Sequence, residues 1–541
     1  MKKYILPTLT VVVMVLGILI GTTLTQKANA QRIVYQNGHL QWELSKVDRL
    51  LQLMSQAYVD SLNIDSITDE VMSEMVQKLD PHSAYIPKED LEMVNSELAG
   101  SFSGIGVQFT IQQDTVRIVA VIAGGPSEGV GVLAGDKLIT VDDSLFVGKK
   151  INNEKVMRTL RGEKGTHVKI GVLRAGSPDM LYYTITRGDI PVNSVDAKFT
   201  IEPVGNQQTT SKIGFVRVNK FGETTYREFL NALADLRKQG ATRYIIDLRE
   251  NSGGYMEQAI RMANEFLKGG QMIVYAEGRA YPRYVAKADG SGRFKNTPLV
   301  VLIDDFSASA SEIFAGAMQD NDRATLVGRR SFGKGLVQQQ IPFDDGSAVR
   351  LTVARYYTPS GRCIQKPYTL GDQGDYDKEL TERFEHGEFY SADSIHFSDT
   401  TTYRTKSGRI VHGGGGIMPD VFVGRDTTLN TPWYNKCVNL AYTYQFAYQY
   451  TDKHRKQLSQ YKDWQSLEKH LLSQNLLPQF VAFAKEKGVE PDEAQIAKSK
   501  PLMNRLLNAY IVRNILGDDG FFPLFERDDE ITKKAVEILS K

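Results

Sequence analysis

The sequence predicts an α/β core interrupted by a compact, mostly β unit and flanked by helical regions. Three observations carry this. After Pro191, strand-like runs alternate with helical patterns through repeated strand–turn–helix units. Between about Phe102 and Gly188, short apolar runs are broken by glycines. Residues 40–60 place Leu40, Leu44, Val47, Leu51, Met54 and Tyr58 at three- and four-residue steps, and the chain beyond Trp433 has a helical texture.

Taken in order, Met1-Lys2-Lys3, an uncharged run from Ile5 to Leu24 and Ala28-Asn29-Ala30 are the parts of a secretory signal over 1–30. The same run approaches the ~20 residues that span a bilayer, so a retained anchor stays open beside a cleaved signal. Both place the remainder outside the cytoplasm. A helical region fills 31–100, with a second pattern at Val71, Met75 and Leu79 closed by Asp80-Pro81. The β unit occupies 101–188, with strand-like Val116–Ile122, Lys137–Val141 and Val168–Leu173 and a helix over Asn153–Leu160.

The core is expected over 189–425. Ile213–Val218 reads as a strand, Thr225–Lys238 as a helix stopped by Gly240, and Arg243–Leu248 as a strand. A helix follows over Tyr255–Leu267, then the buried-strand candidate Pro298–Ile303 and a helix beginning near Ser309. Residues 366–411 read as a polar, irregular insertion, and 426–541 as mostly helical. Within that last region Tyr442, Tyr444, Phe446, Tyr448 and Tyr450 alternate at strand period and receive no assignment.

Composition narrows the function classes. Lys plus Arg number 65 and Asp plus Glu 64, a net charge of +1, so nothing global favours nucleic acid or an anionic surface. Two cysteines, Cys363 and Cys437, cannot build a disulfide framework, and a single bridge is left to geometry. There is no His-Glu-x-x-His motif, so neither metal nor cofactor is expected. Gly328-Arg-Arg-Ser-Phe-Gly-Lys-Gly335 approaches a phosphate-binding loop, but Gly335 stands where Ser or Thr would hold magnesium. Leu336–Ile341 and Ala348–Tyr357 then read as a β-hairpin where a nucleotide site needs a helix. Nucleotide is excluded on both grounds.

Three turns remain as sites of chemistry, each at the end of a strand, where α/β folds place ligands. Asp247–Gly254 ends in two glycines that can expose backbone N–H groups, although an ordinary tight turn needs no more. Phe306-Ser-Ala-Ser-Ala-Ser-Glu312 sets Ser309 at a helix start, with more serines than one cap uses. The third turn offers Lys334. A neutral, desolvated lysine can deprotonate a serine, and no histidine falls in these turns, so a Ser–Lys pair is the favoured chemistry.

Seven motifs in order then resemble the carboxy-terminal processing (tail-specific) proteases, serine–lysine peptidases that carry a PDZ domain. They are Leu79-Asp-Pro-His-Ser-Ala-Tyr85, Gly104-Ile-Gly106, Asp247-Leu-Arg with Asn251-Ser-Gly-Gly254, Ser307-Ala-Ser-Ala-Ser-Glu312, Phe332-Gly-Lys-Gly335, Tyr357-Thr-Pro-Ser-Gly361 and Gly416-Ile-Met-Pro-Asp420. The resemblance spans roughly 40–425 and implies an α/β, crotonase-like protease core with an inserted PDZ domain. It implies Ser309 as nucleophile, Lys334 as general base 25 residues later, Gln338 as the residue orienting the lysine, and Asp320 in a supporting role. The N–H groups of Gly254 and Ala310 match an oxyanion hole. Ser307 and Ser311 become structural. Gly104, Ile105 and Gly106 are expected to receive a substrate's C-terminal carboxylate.

The implied protein is an envelope endopeptidase of the bacterial periplasm whose partners are proteins with accessible C-termini. Membrane contact would run through an uncleaved N-terminal segment, and self-association is left open. A catalytically inactive PDZ adaptor at the membrane surface is the competing expectation.

Overall fold

The computed structural model describes residues 38–541 apart from 97, 113, 123, 134, 175–176, 204–210 and 397–400. The expected leader at 1–30 therefore lies outside the described residues. Among the described residues, no helix is long and apolar enough to cross a membrane. The chain divides into two compact units, Met1–Val76 and Gln77–Lys541. The first holds α1 (Gly38–Ala57) and all but the last residue of α2 (Ile64–Gln77), the two helices that the apolar spacing predicts.

The second unit opens with β1 (Ala84–Ile86) and α3 (Lys88–Ser96). The β unit follows: β2 (Ser101–Gly104), β3 (Val107–Gln112), β4 (Thr115–Val121), β5 (Lys137–Val141), β6 (Ser144–Leu145), α4 (Asn153–Leu160), β7 (His167–Leu173), β8 (Leu181–Thr186) and β9 (Gly188–Pro191). Its sheet runs β3-β4-β5-β7-β8, with β6 beside β5. Val168, Ile170 and Val172 alternate inward along β7 to meet Val156 and Leu160 of α4. The entry and exit strands pair with each other, Ser101 opposite Pro191, so the whole insertion leaves the core through one two-stranded ribbon.

The core contributes β10 (Val195–Ile201), β11 (Lys212–Val218), α5 (Thr225–Lys238), β12 (Ala241–Asp247), α6 (Met256–Asn264), β13 (Met272–Glu277), β14 (Tyr284–Lys287), β15 (Leu299–Ile303), α7 (Ala310–Asp320) and β16 (Thr325–Gly328). The hairpin β17 (Leu336–Pro342) and β18 (Ala348–Tyr357) comes next, then α8 (Gln373–Glu385), the short pair β19 (Thr402–Arg404) and β20 (Ile410–His412), and β21 (Val421–Phe422). The main sheet runs β10-β11-β12-β15-β16-β21 and is parallel from β11 onward. A second sheet, β1-β18-β13-β14 with β17 on β18, closes over the other side of the site.

Every residue of β15 is buried because helices cover both faces of the main sheet. On one face Val216, Ile246 and Val301 meet Phe229 and Leu233 of α5, Met262 of α6 and Phe314 of α7. On the other, Ile213, Phe215, Ile245, Val300 and Leu302 meet Ile531, Ala535, Val536 and Leu539.

Those last residues belong to the final helix of the C-terminal region, which comprises α9 (Pro432–Asn439), α10 (Tyr442–Leu458), α11 (Trp464–Ser473), α12 (Leu476–Glu486), α13 (Glu493–Leu516), α14 (Asp518–Glu526) and α15 (Glu530–Ser540). Six of the seven helices surround their own core of Trp433, Phe446, Phe480, Leu507 and Phe521; α15 instead lies on the sheet.

One expectation changes and two open points close. The insertion at 366–411 is not irregular: it contains α8, capped by the Asp372 carboxylate on the Asp375 N–H, and the β19–β20 pair. Its polar composition hides a buried charge cluster in which Arg330 and Arg383 both grip Glu388. The aromatic run at 442–450 is helical. Its strand-like alternation arises because two faces of α10 are occupied: Phe446 packs on Phe480 and Phe483, and Tyr444 on Tyr510. No disulfide joins Cys363 and Cys437.

Because α15 completes the sheet, Leu539→Ala is expected to cost about 2–4 kcal/mol in urea-denaturation stability, a core-sized penalty. A loss below about 0.5 kcal/mol would mark α15 as peripheral.

Candidate active site

Strands β12, β15 and β16 are neighbours in the parallel sheet, so the turns that follow them converge. The turn after β15 places Ser309 as the N-cap of α7 with φ 54° and ψ −113°, a conformation costly for any residue but glycine. The turn after β12 fits beneath it. Gly253 has φ 106°, and a Cβ there would lie 2.7 Å from the Cβ of Ser309. At Gly254, with φ 138°, a Cβ would lie 2.3 Å from the Phe221 carbonyl oxygen. Both positions require glycine.

The flanking serines tie these turns together. Ser307 Oγ donates to the Leu248 carbonyl (2.8 Å) and Ser311 Oγ to the Asn251 carbonyl (2.8 Å), which also accepts from the Ala308 N–H (3.0 Å). Ser307 and Ser311 are therefore spent on structure. Among the described residues, the N–H groups of Gly254 and Ala310 find no acceptor.

Glu312 joins the third turn. Its buried carboxylate accepts the Ser309 N–H (2.8 Å) and Lys334 N–H (2.9 Å) on Oε2, and the Gly333 N–H (2.8 Å) on Oε1. Tyr356 provides a second link: its hydroxyl lies 3.0 Å from the Ser309 carbonyl oxygen and 2.7 Å from that of Lys334. No helix follows Lys334; β17 does, as the hairpin reading requires.

Ser309, Lys334, Gln338 and Gly254 line one cavity of about 930 Å³. Burial lowers the Lys334 pKa, reinforced by the charge of Arg350 and opposed by Glu312 and Asp80. Among the described residues, no carboxylate forms an ion pair with Lys334. Gln338 Nε2 donates to Thr352 Oγ1 (3.2 Å), which donates on to Asp80 Oδ1 (2.9 Å). That leaves Gln338 Oε1 as the group able to accept from an ammonium.

Asp320 is not brought to the cavity. It ends α7, about 15 Å beyond Ala310 at 1.5 Å per residue, where it pairs with buried Arg362 (2.7 Å) and accepts the Ser360 N–H (3.0 Å). Its work is to fix the turn of the Tyr357–Gly361 motif.

In the β unit, Gly104 closes β2 opposite Gly188, Ile105 is buried, and Gly106 has φ 76°. The carbonyls of Ile105 and Gly106 accept from Ser127 (3.0 Å) and Ile122 (3.0 Å). The turn then enters β3, an edge strand of its sheet. Phe102 and Arg161 of this unit line the same cavity as Ser309 and Lys334. A larger cleft of about 1100 Å³ lies among Arg329, Arg425, Arg505 and Asp528, and no serine, cysteine or histidine lines it.

Residues 212–374 match peptidase family S41, 103–181 match the PDZ domain, and 433–517 match a family of unknown function. The carboxy-terminal processing protease CtpA of Bacillus subtilis is 35% identical over 341 residues, covering 62% of this chain and 70% of that protein. The carboxy-terminal-processing protease of Bartonella bacilliformis is 34% identical over 363 residues, covering 66% and 80%.

The chain belongs to the carboxy-terminal processing proteases.

Among solved structures, the photosystem II D1 C-terminal processing protease is 26% identical, covering 70% of this chain and 92% of that one at a TM-score of 0.37. For this protease, sequence reasoning passed over four contributors. Glu312 was signalled by the capping pattern Ser309-x-x-Glu312. Asp80 and His82 stood within a quoted motif without a role. His82 lines the cavity with Nε2 2.9 Å from the Tyr376 hydroxyl, and burial together with the Lys334 charge lowers its pKa to about 4. Tyr356 had no signal at all.

Gly253→Ala should leave the sheet folded and lower turnover roughly 100-fold, because its methyl displaces Ser309. Steady-state kinetics with circular dichroism checks both halves; wild-type turnover would show that the two turns do not need this contact.

Proposed function

We propose that the protease is a serine endopeptidase that cleaves proteins from near their C-termini, with Ser309 as nucleophile and Lys334 as general base. The reading rests on one observation: a serine held at positive φ shares a cavity with a lysine that has no carboxylate partner among the described residues, beside two N–H groups that find no acceptor there. The neutral Lys334 amine takes the Ser309 proton as Oγ bonds to the scissile carbonyl carbon. The oxygen that becomes negative sits on the Gly254 and Ala310 amides. Collapse breaks the C–N bond, and the Lys334 ammonium returns its proton to the leaving amine. Water then attacks the acyl-enzyme, losing a proton to Lys334, and the C–Oγ bond breaks as Lys334 hands that proton to Ser309 Oγ, releasing the acid and restoring both groups. Gln338 orients the lysine through Oε1.

Substrate tails add as a strand beside β3 and place their carboxylate at Gly104, Ile105 and Gly106. The core is read as crotonase-like, and the start of the chain supports an envelope location outside the cytoplasm.

Ser309→Ala and Lys334→Ala are each expected to abolish cleavage of a tailed protein while tail binding persists. Full activity in Lys334→Ala would sink the Ser–Lys mechanism, and tail binding without turnover in the wild type would mean an adaptor. Because the lysine must be neutral, kcat/KM should rise with pH along a limb whose midpoint lies below the ordinary value of about 10.4.

Stability carries the same signature. With the folded pKa lowered, the unfolded chain binds more protons between the two values, so stability rises with pH across that window. The stability advantage of Lys334→Met over wild type should therefore shrink as pH rises through it, and a gap independent of pH would exclude the shift.

A further inference from the structure

The turn carrying Gly254 begins at Arg249, whose buried side chain points away from the cavity toward the C-terminal helices. Its guanidinium grips Asp247 through Nε and Nη2, both at 2.8 Å. Nη2 also donates to Glu526 Oε2 (2.7 Å), and Nη1 to Asp529 Oδ1 (2.8 Å). Glu526 ends α14, and Asp529 is the N-cap of α15, accepting the Thr532 N–H (2.8 Å). Thr532 Oγ1 donates to the same Glu526 oxygen (2.6 Å). The two acids are thus fixed relative to each other before they meet the arginine. Both lie beyond the stretches matched to the peptidase family and to the family of unknown function.

Beyond Arg249 the chain is held at several points: the Asn251 carbonyl accepts from the Ala308 N–H (3.0 Å) and Ser311 Oγ (2.8 Å), and the Gly253 carbonyl accepts the Phe221 N–H (2.8 Å), so Arg249 anchors the start of a turn whose far end rests on its neighbours. Glu250 has φ 60° and gives its N–H to Asp304 Oδ1 (2.9 Å), Asn251 Nδ2 donates to the Val218 carbonyl (2.7 Å), and the Gly253 N–H closes on Asn251 Oδ1 (2.9 Å). Four residues separate Arg249 from Gly254. An arginine held bidentately within its own turn and by two further carboxylates fixes that start in both position and rotation.

We infer that Glu526 and Asp529 are positioning residues for hydrolysis: through Arg249 they set the Gly254 N–H where the oxyanion forms. The C-terminal region thereby completes the catalytic site of the peptidase core. This rests on the Ser309 reading above.

The test uses the full chain, with active sites counted by a fluorophosphonate that labels Ser309. In Glu526→Gln and Asp529→Asn, kcat per titrated site is expected to fall about 10-fold while KM for a peptide substrate stays within about twofold. Affinity for a peptide boronate, which makes a tetrahedral adduct on Ser309, should fall in the same proportion as kcat. Lost folding would lower the titre and leave kcat per site alone. Where Glu526→Gln yields no folded enzyme, the half-exposed Asp529→Asn decides. Unchanged kcat per site in a titratable Asp529→Asn enzyme overturns the inference alone. A wild-type protein that neither turns over nor labels at Ser309 overturns it together with the Ser309 reading.

Discussion

The buried carboxylate of Glu312 is the interaction on which the site depends. Among the described residues it has no cation partner; instead it accepts the N–H groups of Ser309, Gly333 and Lys334 and the Ser331 hydroxyl. Burial raises its pKa while those four donors pull the other way, so the group is satisfied by dipoles rather than by charge. That choice matters to Lys334. A cation recruited to neutralise Glu312 would further penalise the lysine's ammonium, whereas an unbridged carboxylate aimed at Lys334 Nζ would hold it protonated. Spending the carboxylate on backbone amides fixes the lysine's turn without fixing its charge.

The rest of the fold serves this junction from three directions. The parallel sheet delivers three turns side by side, Ser307 and Ser311 stitch the first two, and Tyr356 reaches from the second sheet to the Ser309 and Lys334 carbonyls. Strain at Ser309 persists because the backbone on either side is fixed by the Glu312 bonds and packed against Gly253, which leaves no relaxed alternative.

Legibility in the sequence followed locality. The hairpin around Lys334 could be read because alternation and a turn lie within some twenty residues, and that context separated it from a phosphate loop. Ser309 was visible through an excess of serines over what one cap needs. The insertion was opaque because its buried groups, Lys366, Arg383 and Glu388, are of the kind that ordinarily mark surface. The aromatic run could not be assigned because two buried helix faces imitate a strand. Asp320 matched a family pattern, yet only the length of α7 shows it too distant to touch the chemistry. The link from Glu526 to Arg249 joins residues 277 positions apart, and nothing local in either segment announces the other.

The packing of α15 on the main sheet has a consequence for how the protease comes into being. Phe215 and Leu539 share a core although more than three hundred positions separate them. Strands β11, β12, β15 and β16 can pair early, but one face of that sheet stays wet and apolar until α15 arrives. Closing so long a loop loses chain entropy before any burial compensates. During that interval the half-covered sheet exposes apolar surface of the kind that promotes aggregation. Arg249 gains its Asp529 partner in the same event, so the folding step that covers the sheet also adds a bond to the start of the Asp247–Gly254 turn.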